Sequence, residues 1–201
     1  AGRSVVVGGQ IPYQPWAAAK KAENFKNRAK ADPVNQCFIP SVPRVMYMDY
    51  PFQIFQTPES IVMTFEWSLD YRLIHTNGSK HIPDYESWMG DSRGRWEGDT
   101  LVVDVADLND KTWLDHDGHP HSEKLHVTER YRRRNFGNID LEITISDPAV
   151  YAKTFTVNVS AMYAADTEMI EWVCQENAAK PIQHWVGKAS DERQGEVRVA
   201  P

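Results

Sequence analysis

The chain has 201 residues, 41% of them hydrophobic and 25% charged, with a formal net charge of −6. That length fits one domain, and the acidic balance leaves no electrostatic case for nucleic acid or anionic lipid as a partner. No apolar run approaches the roughly 20 residues of a membrane-spanning helix, so no transmembrane segment is expected.

The chain begins Ala1-Gly2-Arg3-Ser4 without Met, as a mature exported chain does after its signal peptide is removed, and as a trimmed piece also does. Residues 1–50 read as an irregular lead-in, a helix and a proline-rich strap. The helix is predicted from Pro15 to Ala31: Pro15 suits a first turn and Ala17, Ala18, Ala19, Ala22 and Ala29 are strong formers. Its modest stripe of Trp16, Ala19, Phe25 and Ala29 places it on the outside of the body. Pro33, Pro40 and Pro43 make the strap irregular.

From Phe52 the apolar period becomes two, which predicts strands. Phe52 and Ile54 precede a turn at Thr57-Pro58-Glu59. Ile61, Met63, Phe65 and Trp67 share one face of the next strand. Tyr71 to Thr76 ends at an Asn77-Gly78 turn, and residues 80–92 read as a long aromatic loop. Gly94 to Glu97, Gly98-Asp99 and Thr100 to Val105 then spell a hairpin, because Gly98 supplies the positive φ of a tight turn. Residues 107–121 form a second long loop. Leu125 to Arg134 pairs with Ile139 to Ser146, and Phe155 to Val159 and Met169 to Val173 follow. The domain of strands is thus 51–175, and 176–201 is a polar tail. Sequential hairpins without βαβ alternation predict a mainly β fold: a single antiparallel, up-and-down, calycin-like barrel flanked by the N-terminal helix. A two-sheet sandwich is the competing arrangement.

The strand at 125–134 resolves face by face. Leu125, Val127, Glu129, Tyr131 and Arg133 lie on one side, with Ile139, Leu141, Ile143 and Ile145 as their apolar counterparts. The other side sets Arg130, Arg132 and Arg134 against Asp140 and Glu142, as solvated cross-strand pairs. Glu129 is therefore carried inward, and a buried carboxylate needs a partner. Arg72 and the residues around Glu66 are the candidates.

Cys37 and Cys174 are the two cysteines. In an exported protein they would form one disulfide closing a loop of ~140 residues, with a chain-entropy effect of roughly 4–5 kcal/mol. Two buried free thiols are the alternative. Residues 116–126 hold His116, His119, His121 and His126, and His119, His121 and His126 could hold a metal, though their spacing matches no standard zinc signature. His121, at a barrel mouth, could serve as a general acid or base. Trp88, Trp96 and Trp113 could wall an aromatic pocket or simply pack in the core.

The run Gly94-Arg95-Trp96-Glu97-Gly98-Asp99-Thr100-Leu101-Val102-Val103-Asp104 resembles a segment of exported bacterial proteins of unassigned function. The resemblance extends over about residues 33–175. It takes in Glu66, Arg72 and Ile74, then Thr112 and Trp113, then Gly118, Pro120, His121 and Ser122. It continues through Leu125, Glu129, Arg130 and Tyr131 to Asp147-Pro148. Relatives often read Asp-Gly-Arg-x-His-Pro where this chain has Asn77-Gly78-Ser79-Lys80-His81-Ile82-Pro83, so the Arg is missing here. The resemblance implies export to the periplasm or beyond. The strand order is more distantly similar to lipocalin and fatty-acid-binding barrels, a likeness that carries no function by itself.

Three functions are consistent with this reading. The first is a barrel that binds a small apolar or aromatic ligand, with Glu66, Arg72 and Glu129 as polar anchors, Trp88 and Trp113 at the mouth, and Trp96 and Tyr131 in the wall. The second is a cofactor-independent isomerase, lyase or hydratase using His121 with Glu129 or Asp104. The third is an accessory subunit of an envelope assembly, meeting a protein partner through its termini. No cofactor is expected beyond the metal that the histidines could hold.

Overall fold

The computed structural model describes residues 5–174. The tail expected over 176–201 lies outside the described residues. Helix α1 spans Pro15–Ala31, with proline in its first turn where a missing N–H costs nothing, and it buries only Ala17 and Asn24. It is a surface helix, as its weak apolar stripe predicts. Two short 3-10 turns, Pro33–Gln36 and Arg44–Tyr47, organise the strap that follows. Among the described residues no helix is long and apolar enough to cross a membrane.

The rest is one nine-stranded sheet. Its strands are β1 (Val5–Val6), β2 (Phe52–Gln56), β3 (Ser60–Phe65), β4 (Tyr71–His75) and β5 (Asp91–Glu97). They continue as β6 (Thr100–Ala106), β7 (His126–Asn135), β8 (Asn138–Ser146) and β9 (Phe155–Met162). From edge to edge the order is β1-β9-β8-β7-β6-β5-β4-β3-β2. The predicted hairpin is β5–β6, paired from Asp91↔Ala106 to Glu97↔Thr100, with Gly98 at φ +60 in its turn. Strand β1 escapes the sequence reading because two residues are too few to show a period.

The sheet departs from the expected barrel in two ways. It is mixed: β4 and β5 run parallel at Ile74↔Ser92 and His75↔Arg93. A parallel pair needs a long crossover, and residues 76–90 supply it in place of a hairpin at Asn77-Gly78. Gly94 lets the two strands approach, since a Cβ there would lie 2.9 Å from Ile74 Cγ2. The sheet is also open, since no ladder joins β1 to β2 among the described residues. The strand expected at Met169–Val173 is reduced to a single bridge, Trp67↔Trp172. The disulfide between Cys37 and Cys174 draws that segment onto the strap, and Val34, Tyr50, Trp67 and Trp172 pack around it.

Alternation then sets the faces. Ile61, Met63, Phe65, Ile74, Leu101, Val103, Val105, Val127, Leu141, Ile143, Ile145 and Val157 fill the concave side. At the end where β6 finishes and β7 begins, Ala17, Val45, Met46, Leu108, Leu114, Leu125 and Tyr151 close the interior. Hydrogen bonds lock that stopper: Tyr151 Oη donates to the Pro120 carbonyl at 2.7 Å, and Tyr47 Oη donates to that of Leu114. Arg44 grips buried Asp32 with two bonds of 2.8 and 2.7 Å.

The turn between β3 and β4 carries one unpaired acid. Trp67 Nε1 and Asp70 Oδ2 are buried without hydrogen-bond partners among the described residues, and burial pushes the Asp70 carboxyl up to about 6. Its folded value lies above its unfolded one, so the folded state holds an extra proton between about pH 4 and 6. Stability is therefore fullest below that window and falls as pH rises through it. Asp70→Asn is expected to raise unfolding stability at pH 7.5 by roughly 1 kcal/mol, after allowing for solvent screening, and to change it little at pH 4. Urea melts at the two pH values measure this.

Candidate functional site

Arg72 on β4 and Glu129 on β7 both point into the concave interior, and both are almost wholly buried. The guanidinium meets the carboxylate in a fork, Nη2 to Oε2 at 2.5 Å and Nη1 to Oε1 at 3.1 Å. Nε donates to Ser92 Oγ at 3.0 Å, and Nη1 also donates to Tyr131 Oη at 3.2 Å. The inward carboxylate inferred from alternation thus has the partner the sequence offered for it. Burial, followed by the Glu129 charge, holds the Tyr131 phenol well above its usual range. Burial disfavours the Arg72 charge, but Glu129 and Tyr131 outweigh it, and the guanidinium stays protonated.

Beyond Tyr131, at the end opposite the stopper, the half-barrel opens into a cleft of about 900 Å³. Its floor is Ile61, Met63, Ile74, Leu101 and Tyr131, and its rim includes Ile54, Trp96, Phe136, Met162 and Tyr163. These rim side chains are exposed, Trp96 by 50% and Phe136 by 76%. Arg133, also on the rim, donates to the carbonyls of Asn135 and Phe136.

Of the residues expected to contact a ligand, Trp96 and Tyr131 line this cleft, and Arg72 lies beneath its floor. Glu66 does not join Arg72 and Glu129. Its side chain accepts a hydrogen bond from the Ile170 N–H at 3.1 Å. Trp88 and Trp113 are not at the mouth: neither lines the cleft, and Trp88 stacks on Phe38 at 5.3 Å. These two sit in the long connections, whose positions strand periodicity does not specify.

The expected acid–base residues do not converge. Glu129 faces inward, whereas Asp104 faces out from the convex side of β6. His121 is buried in the 107–125 connection. Thr112 Oγ1 lies 2.8 Å from its Nε2, and its Nδ1 lies 3.3 Å from the Ser122 carbonyl. A carbonyl only accepts, so Nδ1 carries the proton and the threonine hydroxyl donates to Nε2. Burial lowers the pKa of this ring, in keeping with a neutral imidazole. Ser122 beside it donates its N–H and hydroxyl to Asp147, at 2.6 and 2.9 Å. That pairing clamps the loop to the Asp147-Pro148 corner.

The histidines expected to share a metal are dispersed among separate partners. His119 pairs with Asp115 and lies parallel to the Tyr13 ring, His121 binds Thr112, and His126 Nε2 meets Asp104 Oδ1 at 3.0 Å. Burial raises the Asp115 carboxyl, but bonds from His119 and from backbone amides outweigh it and hold it low. The other oxygen of Asp104 meets His81 Nε2 at 2.9 Å, and His81 Nδ1 lies 3.0 Å from Asp91 Oδ2. Burial would raise Asp91, yet Arg93, the Ile82 N–H and His81 keep it below the usual carboxylate range. His81 carried no chemical signal in the sequence beyond its place in the Asn77–Pro83 segment. Comparison with protein-family models, curated proteins and solved structures finds no match.

The buried pair makes an asymmetric prediction. Arg72→Met strands the Glu129 charge and is expected to cost about 3–5 kcal/mol, whereas Arg72→Met with Glu129→Leu recovers most of that loss. Chemical denaturation distinguishes the outcomes, and an equal loss in both variants would refute a charge-pair origin.

Proposed function

We propose that the protein is an exported, calycin-like half-barrel that binds a small apolar or aromatic molecule in the cleft at its open end. The observation carrying this reading is the cleft itself. Its volume falls within the range of small-molecule sites, and its floor is apolar with one phenol set into it. Several large apolar rim side chains stand exposed together, which soluble proteins rarely leave without a use. The Cys37–Cys174 disulfide is compatible with an oxidising compartment.

Within this reading the Arg72–Glu129 pair supports the floor. Its donors and acceptors are turned toward each other, Ser92 and Tyr131. Specificity then rests on shape and on the aromatic rim, with Trp96 as the reporter.

Titration with anilinonaphthalene sulfonate tests the reading. Saturable one-to-one binding with a change in tryptophan emission is expected. Ile54→Glu and Trp96→Ala should each weaken it about tenfold or more, equivalent to about 1.4 kcal/mol, without lowering Tm. Leu73→Glu, on the convex face, should leave it unchanged. Absence of saturable binding, or equal binding in all three variants, would overturn the proposal.

A further inference from the structure

We propose that His81, Asp91 and Asp107 form a site for one divalent transition-metal cation on the convex side of the sheet, away from the cleft. They come from three segments: the 76–90 crossover, the first residue of β5 and the residue just after β6. The β5–β6 ladder pairs Asp91 with Ala106 and so brings Asp107 alongside. One donor atom from each residue lies within 4.8 Å of the other two. Donors bound at about 2.1 Å to a common ion stand roughly 3–4 Å apart, so modest side-chain rotation completes the set.

The surroundings match what a metal site requires of its outer partners. His81 presents Nδ1 to the cluster while Nε2 faces Asp104 Oδ2 at 2.9 Å. A carboxylate on the far nitrogen is the usual outer partner of a ligating histidine, and cation binding replaces the proton that otherwise links Nδ1 to Asp91. Asp104 is itself held by His126 at 3.0 Å. Asp91 is oriented by Arg93, through Nε at 2.9 Å and Nη2 at 2.8 Å, and by the Ile82 N–H at 3.1 Å. Asp107 differs, for its half-buried carboxylate has no hydrogen bond or ion pair among the described residues. The three carboxylates Asp91, Asp104 and Asp107 outnumber the single guanidinium of Arg93, so the cluster is acidic and suits a cation. A histidine nitrogen with carboxylate oxygens suits zinc, manganese or ferrous iron better than copper(I) or calcium.

Calorimetric titration of the chelator-treated full chain with Zn²⁺ and Mn²⁺, alongside elemental analysis of untreated protein, tests the assignment. One ion per chain is expected, with a Tm that rises on loading. His81→Ala and Asp107→Asn should abolish the binding, and Asp104→Asn should weaken it about 10- to 100-fold. Asp91 is buried and ion-paired, so its replacement is not used. Asp107→Asn is expected to leave the metal-free Tm unchanged, which separates lost coordination from lost folding. The assignment is overturned if no stoichiometric binding occurs. It is equally overturned if His81→Ala and Asp107→Asn bind normally, or if binding is lost instead in His119→Ala.

Discussion

The Arg72–Glu129 contact is the constraint around which the molecule is arranged. The two side chains stand on β4 and β7, with β5 and β6 between them in the sheet. In a flat sheet three strand intervals would set their backbones about 14 Å apart. A direct fork at 2.5 and 3.1 Å therefore demands that the sheet curl around its concave face. Neither ion can leave the pair without stranding the other's charge in the buried interior, so curl and pairing enforce each other. Ser92 and Tyr131 complete the arrangement by tying β5 and β7 to the same guanidinium.

This crossing pair also divides the interior. On one side the concave residues are sealed by the helix, the strap and the 107–125 connection, each contributing apolar side chains to a continuous core. On the other side the sheet ends in the β5–β6 and β7–β8 turns, where Trp96 and Phe136 stand exposed. The disulfide serves the strap side of this division. It joins Cys37, beside the first 3-10 turn, to Cys174, after β9, and Trp172 packs on Trp67 at 4.2 Å as a consequence. The C-terminal end of the described chain is thus fastened to the strap near β3 while the cleft stays open.

What the sequence discloses and what it hides follow from the range of the interactions involved. Alternation is local, so the inward turn of Glu129, the β5–β6 hairpin and the Pro15–Ala31 helix could all be read directly. Arg72 is a candidate partner in the sequence because it and Glu66 flank the Leu69-Asp70 turn, and it is Arg72, not Glu66, that folding sets against Glu129. Strand neighbours are not local. Nothing in Asn77-Gly78 announces that the chain crosses over and returns parallel to β4, and although Trp88 and Trp113 fall in the predicted loops, nothing there says that they lie away from the cleft. His121 illustrates the same limit: its residue type suggests acid–base chemistry, but its surroundings make it a neutral, doubly bonded member of the stopper. His81 is the converse case, an ordinary loop residue until tertiary folding sets it between Asp91 and Asp104.

The hairpin of β5 and β6 links the two faces of the molecule. Trp96 and Leu101 are neighbours in its ladder and look into the cleft, while Asp91, Arg93 and Asp104 look out from its convex side. Because successive side chains alternate on a rigid backbone, neither face can be displaced without carrying the other. The contacts of His81 with both Asp91 and Asp104 clasp the outside of this hairpin, across the Arg93↔Asp104 pair. Ser92 holds its inside to the buried guanidinium, and Tyr131 of β7, paired with Leu101, bonds the same group. A strand fixed from both sides keeps the indole at its end in one place, and the proposed binding rim, built on exposed aromatic residues with few polar groups, would depend on that rigidity.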